Sequence, residues 1–222
     1  MERHGGSCSR ASGPIVKLDL LTSSAFAVFT TRDYALAADL SLTAASHQLS
    51  RLQRGNRSIV RLTRGVWANP SHPQFSPLAC VPVLVGSEQG YISFLSALHL
   101  SGALSQIPAS IQVATTGHTR KLRTPVGAYD FLQMKPAMFV AGVRWSETPR
   151  PFRIATIEKA LLDTLYVATR KGRRFAKLPE LRLEDASFDS RNWYALMKHL
   201  ELPSQIATAI QNGYTSLVTR QK

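Results

Sequence analysis

The chain has 222 residues, of which 44% are hydrophobic, and this composition excludes an intrinsically disordered protein. Its formal net charge of +13 favours a polyanionic partner, most often a nucleic acid and less often an anionic membrane surface. The most apolar run, residues 78–85, contains Pro82 and is far too short to cross a bilayer.

Residues 1–13 are rich in glycine and serine and lack the apolar core of a signal peptide, so we expect a disordered lead-in. The two cysteines, Cys8 and Cys80, form no CxxC motif, and no Cys/His spacing matches a zinc site. We therefore expect no disulfide framework, no metal and no cofactor. This cysteine usage fits a reducing, cytoplasmic location.

Three helices are predicted next. The first covers Ile15–Ser24 and begins after Pro14, because proline is tolerated at the first helical position. The second begins at an N-cap threonine, either Thr30 or Thr31. The break that follows, residues 39–41, is as short as a helix-turn-helix connection requires.

The third predicted helix has two faces of different chemistry. Ser41 occupies its N-cap position, and Gly55 is suited to end it. At 100° per residue, one apolar stripe can be buried, and it consists of Leu42, Ala45, Leu49 and Leu52. The opposite face carries side chains that suit base edges and phosphates, namely Thr43, His47, Ser50, Arg51 and Arg54. A solvated helix with a few arginines is the alternative interpretation.

A basic β-hairpin is predicted directly after this helix. Residues 58–68 read as two short strands joined by a turn at residues 63–65, without any acidic residue. Arg64 is expected at the tip, flanked by Arg57 and Arg61, where phosphate contact is easiest. A helix-turn-helix followed by a basic hairpin is the order of a winged helix-turn-helix, which presents one helix to the major groove. We therefore predict a DNA-binding domain over residues 14–70, with a purely structural ribbon as the alternative.

A polar stretch with two prolines, residues 69–73, predicts the boundary to a second domain over residues 76–222. His72 in this stretch is expected to be an exposed loop residue. Helices are predicted at residues 91–100, 156–170, 193–200 and 205–212, and strands at residues 111–116, 127–133 and 138–145. Strands followed by helices, without regular βαβ alternation, predict a mixed α+β domain.

The sequence gives little support to catalysis. Glu158, Lys159 and Asp163 are residue types that a metal-dependent nuclease uses, but nucleases usually place them at a strand end. Here their spacing predicts a helix that is solvated on its polar side. No phosphate loop, dinucleotide fingerprint or Gly-x-Ser-x-Gly motif occurs. We therefore expect that the protein is not an enzyme.

A second group of basic residues lies in the second domain. Its members are Arg120, Lys121 and Arg123 in a predicted loop, and Arg170, Lys171, Arg173 and Arg174 after the long helix. The first cluster fits a phosphate-binding loop and a solvated charge run equally well, and the second also suits a helix C-terminus. If both clusters faced the hairpin, the two domains would share one nucleic-acid surface. Otherwise the second domain could bind RNA or an acidic protein.

Three segments of the chain carry recognisable motifs, which occur in the following order. They are LTRGVWA at residues 62–68, YISFLSALH at residues 91–99 and IATIEKALLD at residues 154–163. Together they resemble the AbiEi-type antitoxins of bacterial type IV toxin–antitoxin systems, over roughly residues 26–200. That family combines an N-terminal winged helix-turn-helix with a C-terminal α+β domain.

The resemblance implies a transcriptional repressor that binds inverted repeats in its own operon through the N-terminal domain. It also implies a nucleotidyltransferase toxin as the genetic partner, without a stable complex between the two proteins. We accordingly predict a sequence-specific DNA-binding repressor that acts as the antitoxin of a type IV system, with no membrane association. The alternative is an RNA- or protein-binding module that works through the basic second domain.

Overall fold

The computed structural model describes residues 18–56, 58–170, 175, 178–184 and 186–220. Within these residues the chain forms seven α-helices and two β-sheets, which confirms the predicted α+β class. The predicted disordered segment, residues 1–13, lies outside the described residues.

The first sheet and two helices form an N-terminal unit. Its elements are 3-10 helices at Leu18–Thr22 and Ser24–Phe26, β1 at Val28–Thr30, α1 at Thr31–Ala38, α2 at Leu42–Asn56, β2 at Val60–Thr63 and β3 at Val66–Ala68. The sheet is antiparallel, with β3 between β1 and β2. The second and third predicted helices and the hairpin are therefore confirmed.

The first predicted helix is wrong over its described part. That segment forms two 3-10 turns instead of one α-helix, and the strand β1 follows them. The run Thr22-Ser23-Ser24 explains the difference, because hydroxyl side chains favour turns over the interior of a helix. We did not predict β1, which has only three residues.

Both α1 and α2 begin where the sequence indicates. Thr30 Oγ1 accepts a hydrogen bond from the Asp33 backbone N–H at 3.1 Å, and Asp33 Oδ2 accepts one from the Thr30 N–H at 2.8 Å. This reciprocal pair is a capping box. Ser41 Oγ accepts from the Ala44 N–H at 3.2 Å and so caps α2. Between the helices, Asp39 adopts φ 55°, which turns the chain within the short break.

A small apolar cluster holds the N-terminal unit together. It consists of Leu21, Phe26, Phe29, Tyr34, Ala35, Ala45, Leu49, Ile59 and Trp67, and we call it the N-terminal core. Ala45 and Leu49 of the predicted stripe are fully buried in it, and Leu52 packs at its edge. Leu42 is 53% exposed, so its predicted burial is wrong. As the first residue of α2, it projects beyond the end of this core.

The second part of the chain contains a larger sheet covered by helices. Its elements are a 3-10 helix at Leu78–Cys80, α3 at Val81–Val85, β4 at Gly90–Ile92, α4 at Phe94–Leu100, β5 at Ile111–Thr115, β6 at Arg120–Thr124, β7 at Gly127–Gln133, a 3-10 helix at Pro136–Phe139, β8 at Val143–Trp145, β9 at Arg153–Ala155, α5 at Ile157–Ala168, α6 at Ser190–His199 and α7 at Ser204–Arg220. The strand order is β6-β7-β5-β4-β9-β8. The pairs β5–β7 and β4–β9 are parallel, and the other neighbours are antiparallel.

Most of the predicted elements of this part are confirmed, namely β5, β7, α5, α6 and a longer α7. The predicted helix over residues 91–100 is wrong in its first part, where β4 precedes α4. The predicted strand over residues 138–145 is wrong except for β8. The predicted loop at Arg120–Arg123 is also wrong, since these residues form the edge strand β6.

The predicted boundary segment is fixed in place by hydrogen bonds. Asn69 Nδ2 donates to the Leu21 carbonyl at 3.2 Å, and a ring nitrogen of His72 lies 3.1 Å from the Thr22 carbonyl oxygen. His72 is only 8% exposed, so the expectation of an exposed histidine is wrong. The imidazole is buried because it bonds the end of the first 3-10 helix.

The two parts of the chain are in direct contact. Val28, Leu62 and Ala68, from the sheet of the N-terminal unit, belong to the large apolar cluster of the second part. Arg150, from the loop between β8 and β9, donates to the Val28 carbonyl at 3.0 Å and also to the carbonyl of Ser24. These contacts set the orientation of the N-terminal unit on the larger sheet.

Candidate nucleic-acid interface

The outer face of α2 carries the side chains that the sequence singles out. Thr43, His47, Arg51 and Arg54 are exposed, and Ser50 is half-buried. They lie opposite Ala45 and Leu49, which the N-terminal core buries. The face is therefore free for contact with a partner while the other side holds the helix.

Two side chains on this face bond to the backbone of α2 itself. Ser50 Oγ donates to the Ser46 carbonyl at 2.8 Å, and Arg54 Nε donates to the Ser50 carbonyl at 3.2 Å. The Ser50 oxygen can still accept a hydrogen bond, and the terminal nitrogens of Arg54 can still donate. The bond through Nε restrains the Arg54 side chain along the helix, which reduces the entropy lost on binding.

The hairpin is tied to the start of α1. The Thr31 N–H donates to the Gly65 carbonyl at 2.8 Å, and Trp67 Nε1 donates to Thr31 Oγ1 at 2.9 Å. Gly65 has φ 76°, a conformation that glycine adopts without strain, and it forms the turn after Arg64. The exposed Arg64 thus lies at the tip of a hairpin whose position relative to α1 is fixed.

Arg61 lies on the strand β2 and is exposed. Its Nε donates to the Thr63 carbonyl at 3.2 Å, and its guanidinium carbon lies 5.9 Å from the centroid of the Trp67 ring. The same tryptophan therefore supports both the hairpin and the arginine on its surface. Arg57, the remaining predicted contact, lies outside the described residues.

The electrostatic character of this region follows from the sequence. Neither α2 nor the hairpin contains an aspartate or a glutamate. The nearest acids along the chain are Asp33, which is engaged in the capping box, and Asp39 at the end of α1. The exposed arginines on α2, β2 and the turn are thus not neutralised within these elements, and this surface attracts polyanions.

Among the second group of basic residues, Arg120 has a structural role. Its guanidinium forms an ion pair with Glu88 at 3.2 Å, donates to the Leu84 carbonyl at 3.2 Å and lies 4.1 Å from the Phe131 ring centroid. Lys121 and Arg123 alternate with it along β6 and are exposed. The strand β6 contacts β2, so these two exposed cations lie on an element next to the hairpin.

Of the second predicted basic cluster, which follows α5, only Arg170 lies within the described residues. Arg170 donates to the Gln133 carbonyl at 2.9 Å, and its guanidinium carbon lies 5.7 Å from the Tyr166 ring centroid. These contacts attach the end of α5 to the end of β7. Lys171, Arg173 and Arg174 lie outside the described residues.

The residues of the nuclease alternative form a buried network. Lys159 and Asp163 are fully buried and form an ion pair one turn apart on α5. Lys159 Nζ also donates to Tyr91 Oη at 2.7 Å. Asp163 Oδ2 accepts from Tyr91 Oη at 2.9 Å and from Ser93 Oγ at 2.7 Å. The predicted solvated polar side of this helix is therefore wrong.

This network is structural in character. Burial lowers the pKa of Lys159, while the negative charge of Asp163 opposes that shift. Burial and the same carboxylate raise the pKa of Tyr91 well above its usual value. Each charged group is bonded within the network, which attaches α5 to β4 and the residue that follows it. The sequence gives no signal for it, since Tyr91 and Ser93 lie about 70 residues before their partners.

No three His, Cys, Asp or Glu side chains in the described ranges are grouped so that they could hold a metal ion. The helices in the same ranges include none that combines the length and the apolar character needed to cross a membrane.

Comparison of the chain with models of protein families gives no match, and comparison with curated proteins finds no similar sequence.

Proposed function

We propose that the protein binds double-stranded DNA in a sequence-specific manner through a winged helix-turn-helix made of α1, α2 and the hairpin β2–β3. The observation that carries this proposal is the acid-free, arginine-rich outer face of α2 beside an anchored basic hairpin. A helix-turn-helix inserts its second helix into the major groove, which here is α2. Its buried side holds the helix while its exposed side meets the bases.

The contacts divide between bases and phosphates. Thr43, His47, Ser50, Arg51 and Arg54 face the major groove on α2. Arg61 and Arg64 bind the flanking phosphates from the hairpin, where their charge releases counterions but reads no sequence. The exposed Lys121 and Arg123 on β6 support a longer footprint, because β6 lies beside β2.

In this proposal the protein is a non-enzymatic repressor of its own operon, and two copies occupy an inverted repeat. Its role as an AbiEi-type antitoxin rests on the three segments that resemble that family. A nucleotidyltransferase toxin encoded alongside is the proposed genetic partner, without a stable complex. The second of these segments supplies Tyr91 and Ser93 and the third supplies Lys159 and Asp163, the four residues of the buried network.

A mobility-shift titration of the full chain tests the proposal. The probe is the DNA upstream of its own gene, and the competitors are a scrambled duplex and a structured RNA. We expect a two-step shift that survives both competitors. Loss of the shift with scrambled duplex would refute sequence-specific binding, and preferential competition by RNA would favour an RNA-binding module.

Replacement of Arg51 by alanine should weaken specific binding by about 1–3 kcal/mol, because a guanidinium that contacts a base edge in two places contributes that much. Arg54→Ala should act in the same direction. Fluorescence anisotropy with the operator and with scrambled duplex measures the effect. Lys198→Ala, an exposed cation on α6 far along the chain, is the matched control and should bind like the parent.

Replacement of Arg64 by alanine should reduce the salt dependence of binding instead. Loss of one phosphate contact lowers the slope of log K against log salt by about one unit, with little change in preference among sequences. Titrations at several salt concentrations give this slope. An unchanged slope in Arg64→Ala would show that the hairpin tip does not contact the phosphate backbone.

A further inference from the structure

A cavity of about 330 Å³ lies on the second part of the chain, and its lining residues are different from those of the proposed DNA surface. It is formed by the first turn of α5, one side of α6 and the loop before β8. Thr156, Glu158, Asn192 and His199 supply polar groups to its lining, and Ala195 belongs to its apolar part. Thr156 and Glu158 belong to the third segment of the family resemblance, but the proposed function gives this site no role.

Glu158 is the unusual member of this lining. Its side chain is only 6% exposed, and Oε1 accepts a hydrogen bond from the Asp189 backbone N–H at 3.1 Å. In the described part of the chain, no Lys, Arg or His nitrogen lies within 4.0 Å of its carboxylate. Because most of this residue is out of contact with water, a cation placed at its carboxylate would be stabilised. The lack of such a partner among the described residues is unusual in a chain with a net charge of +13.

We propose that this cavity binds a small organic cation, with an ammonium head at Glu158 and an apolar body along α6. The cation supplies the countercharge that the described residues do not provide. At about 30 Å³ for each water-sized atom, the volume can hold a molecule of up to about ten non-hydrogen atoms. Ala195 and Leu196 offer the apolar surface that such a body requires.

The geometry favours an ammonium over a guanidinium. A guanidinium fork binds a carboxylate best when both oxygens are available side by side. Here Oε1 already accepts from the Asp189 N–H, so Oε2 is the more available oxygen for a ligand. A compact ammonium can bind that single oxygen and still donate to neighbouring acceptors, such as the Asn192 side chain.

Three probes of similar size test the proposal on the full chain at neutral pH. Pentylamine carries the ammonium, 1-pentanol has the same apolar body without charge, and butylguanidine carries the forked cation. Isothermal titration and ligand-observed NMR measure their affinities. We expect saturable one-to-one binding of pentylamine, weaker binding of butylguanidine and no saturable binding of pentanol. Equal binding of pentanol, or no saturable binding of pentylamine, would overturn the proposal.

Two variants separate the roles of charge and space. Glu158→Gln keeps an acceptor for the Asp189 N–H and should weaken pentylamine binding about tenfold or more. Ala195→Phe fills the cavity from an exposed position of α6 and should abolish binding while Glu158 remains. Lys198→Ala on the same helix is the control and should bind like the parent. Unchanged affinity in both variants would exclude this cavity, and the outcome does not depend on DNA binding.

Discussion

Replacement of Asp163 by asparagine should lower the free energy of unfolding by about 3–5 kcal/mol, the cost of removing one partner from a buried ion pair. The variant retains the size of the side chain, removes its charge and replaces one of its two acceptor oxygens with an NH2 donor. Lys159 is fully buried, so its ammonium would then lie beside Tyr91 Oη without a carboxylate. Urea denaturation followed by far-UV circular dichroism measures the loss. A change below 1 kcal/mol would contradict the ion pair.

The stability of Asp163→Asn should rise with pH over a defined range. Burial already lowers the pKa of Lys159, and loss of the Asp163 charge, which raises it, should lower the pKa further. At pH values between the lowered pKa of Lys159 and the ordinary lysine pKa near 10.4, the unfolded chain binds one proton more than the folded chain. Stability of the variant should therefore rise with pH by about 1.4 kcal/mol per unit in that window. The parent should show this rise only over a narrower, more alkaline range.

A double replacement provides the control for charge. In Lys159→Met with Asp163→Leu, both charges are removed and apolar atoms fill the space. Such exchanges of a buried pair are often neutral. Tyr91 and Ser93 would lose hydrogen-bond partners, so we expect recovery of part of the stability that the single variant loses. A double variant less stable than Asp163→Asn would show that the network contributes more than it costs in desolvation.

This network also shows what a sequence pattern cannot reveal. Glu158, Lys159 and Asp163 look like the polar side of a surface helix, because charged residues are mostly exposed. Their burial depends on Tyr91, Ser93 and the Asp189 N–H, which only the tertiary fold brings near. The helix α5 was predictable from local periodicity, whereas its environment was not.

Short strands were also difficult to predict from the sequence. Residues 91–100 form one apolar run, but the chain leaves β4 at Ser93 and starts α4 at Phe94, which has φ 55°. Periodicity does not separate a three-residue strand from the helix that follows it. At β6 the neighbouring Gly117 and Pro125 predicted a loop, yet the residues between them form an edge strand, where exposed lysine and arginine are tolerated.

The predicted interface was easier to derive because its signals are local. N-caps at Thr30 and Ser41, the glycine turn at Gly65 and the spacing of Ala45 and Leu49 each act within a few residues. Their combination places the arginine face of α2 outward without reference to the rest of the chain. The neighbouring position of β6 needed the structure, since it depends on how the two parts pack.

Replacement of Trp67 by alanine should cost about 3–5 kcal/mol, the usual loss for a large aromatic side chain in a packed core. Trp67 is 2% exposed and is the largest member of the N-terminal core. Its indole also donates to Thr31 and lies under Arg61. One residue therefore supports the core, the position of the hairpin and an arginine of the proposed interface. Denaturant unfolding measures the loss, and a change below 1 kcal/mol would contradict this role.

Trp67→Phe separates these contributions. Phenylalanine retains most of the apolar contact but leaves Thr31 Oγ1 without its donor, so we expect a loss nearer 1–2 kcal/mol. At a temperature where this variant is folded, the hairpin keeps its hydrogen bonds from Thr31 to Gly65 and the pairing of β3 with β1, and it loses only the indole bond. If the protein binds DNA as proposed, its affinity for the operator should then fall, while its affinity for scrambled duplex should change little. Because Trp67 is too buried to touch DNA, such a selective fall would show that the hairpin must be held in position for specific binding. Operator affinity equal to that of the parent would show instead that the indole bond contributes only to stability.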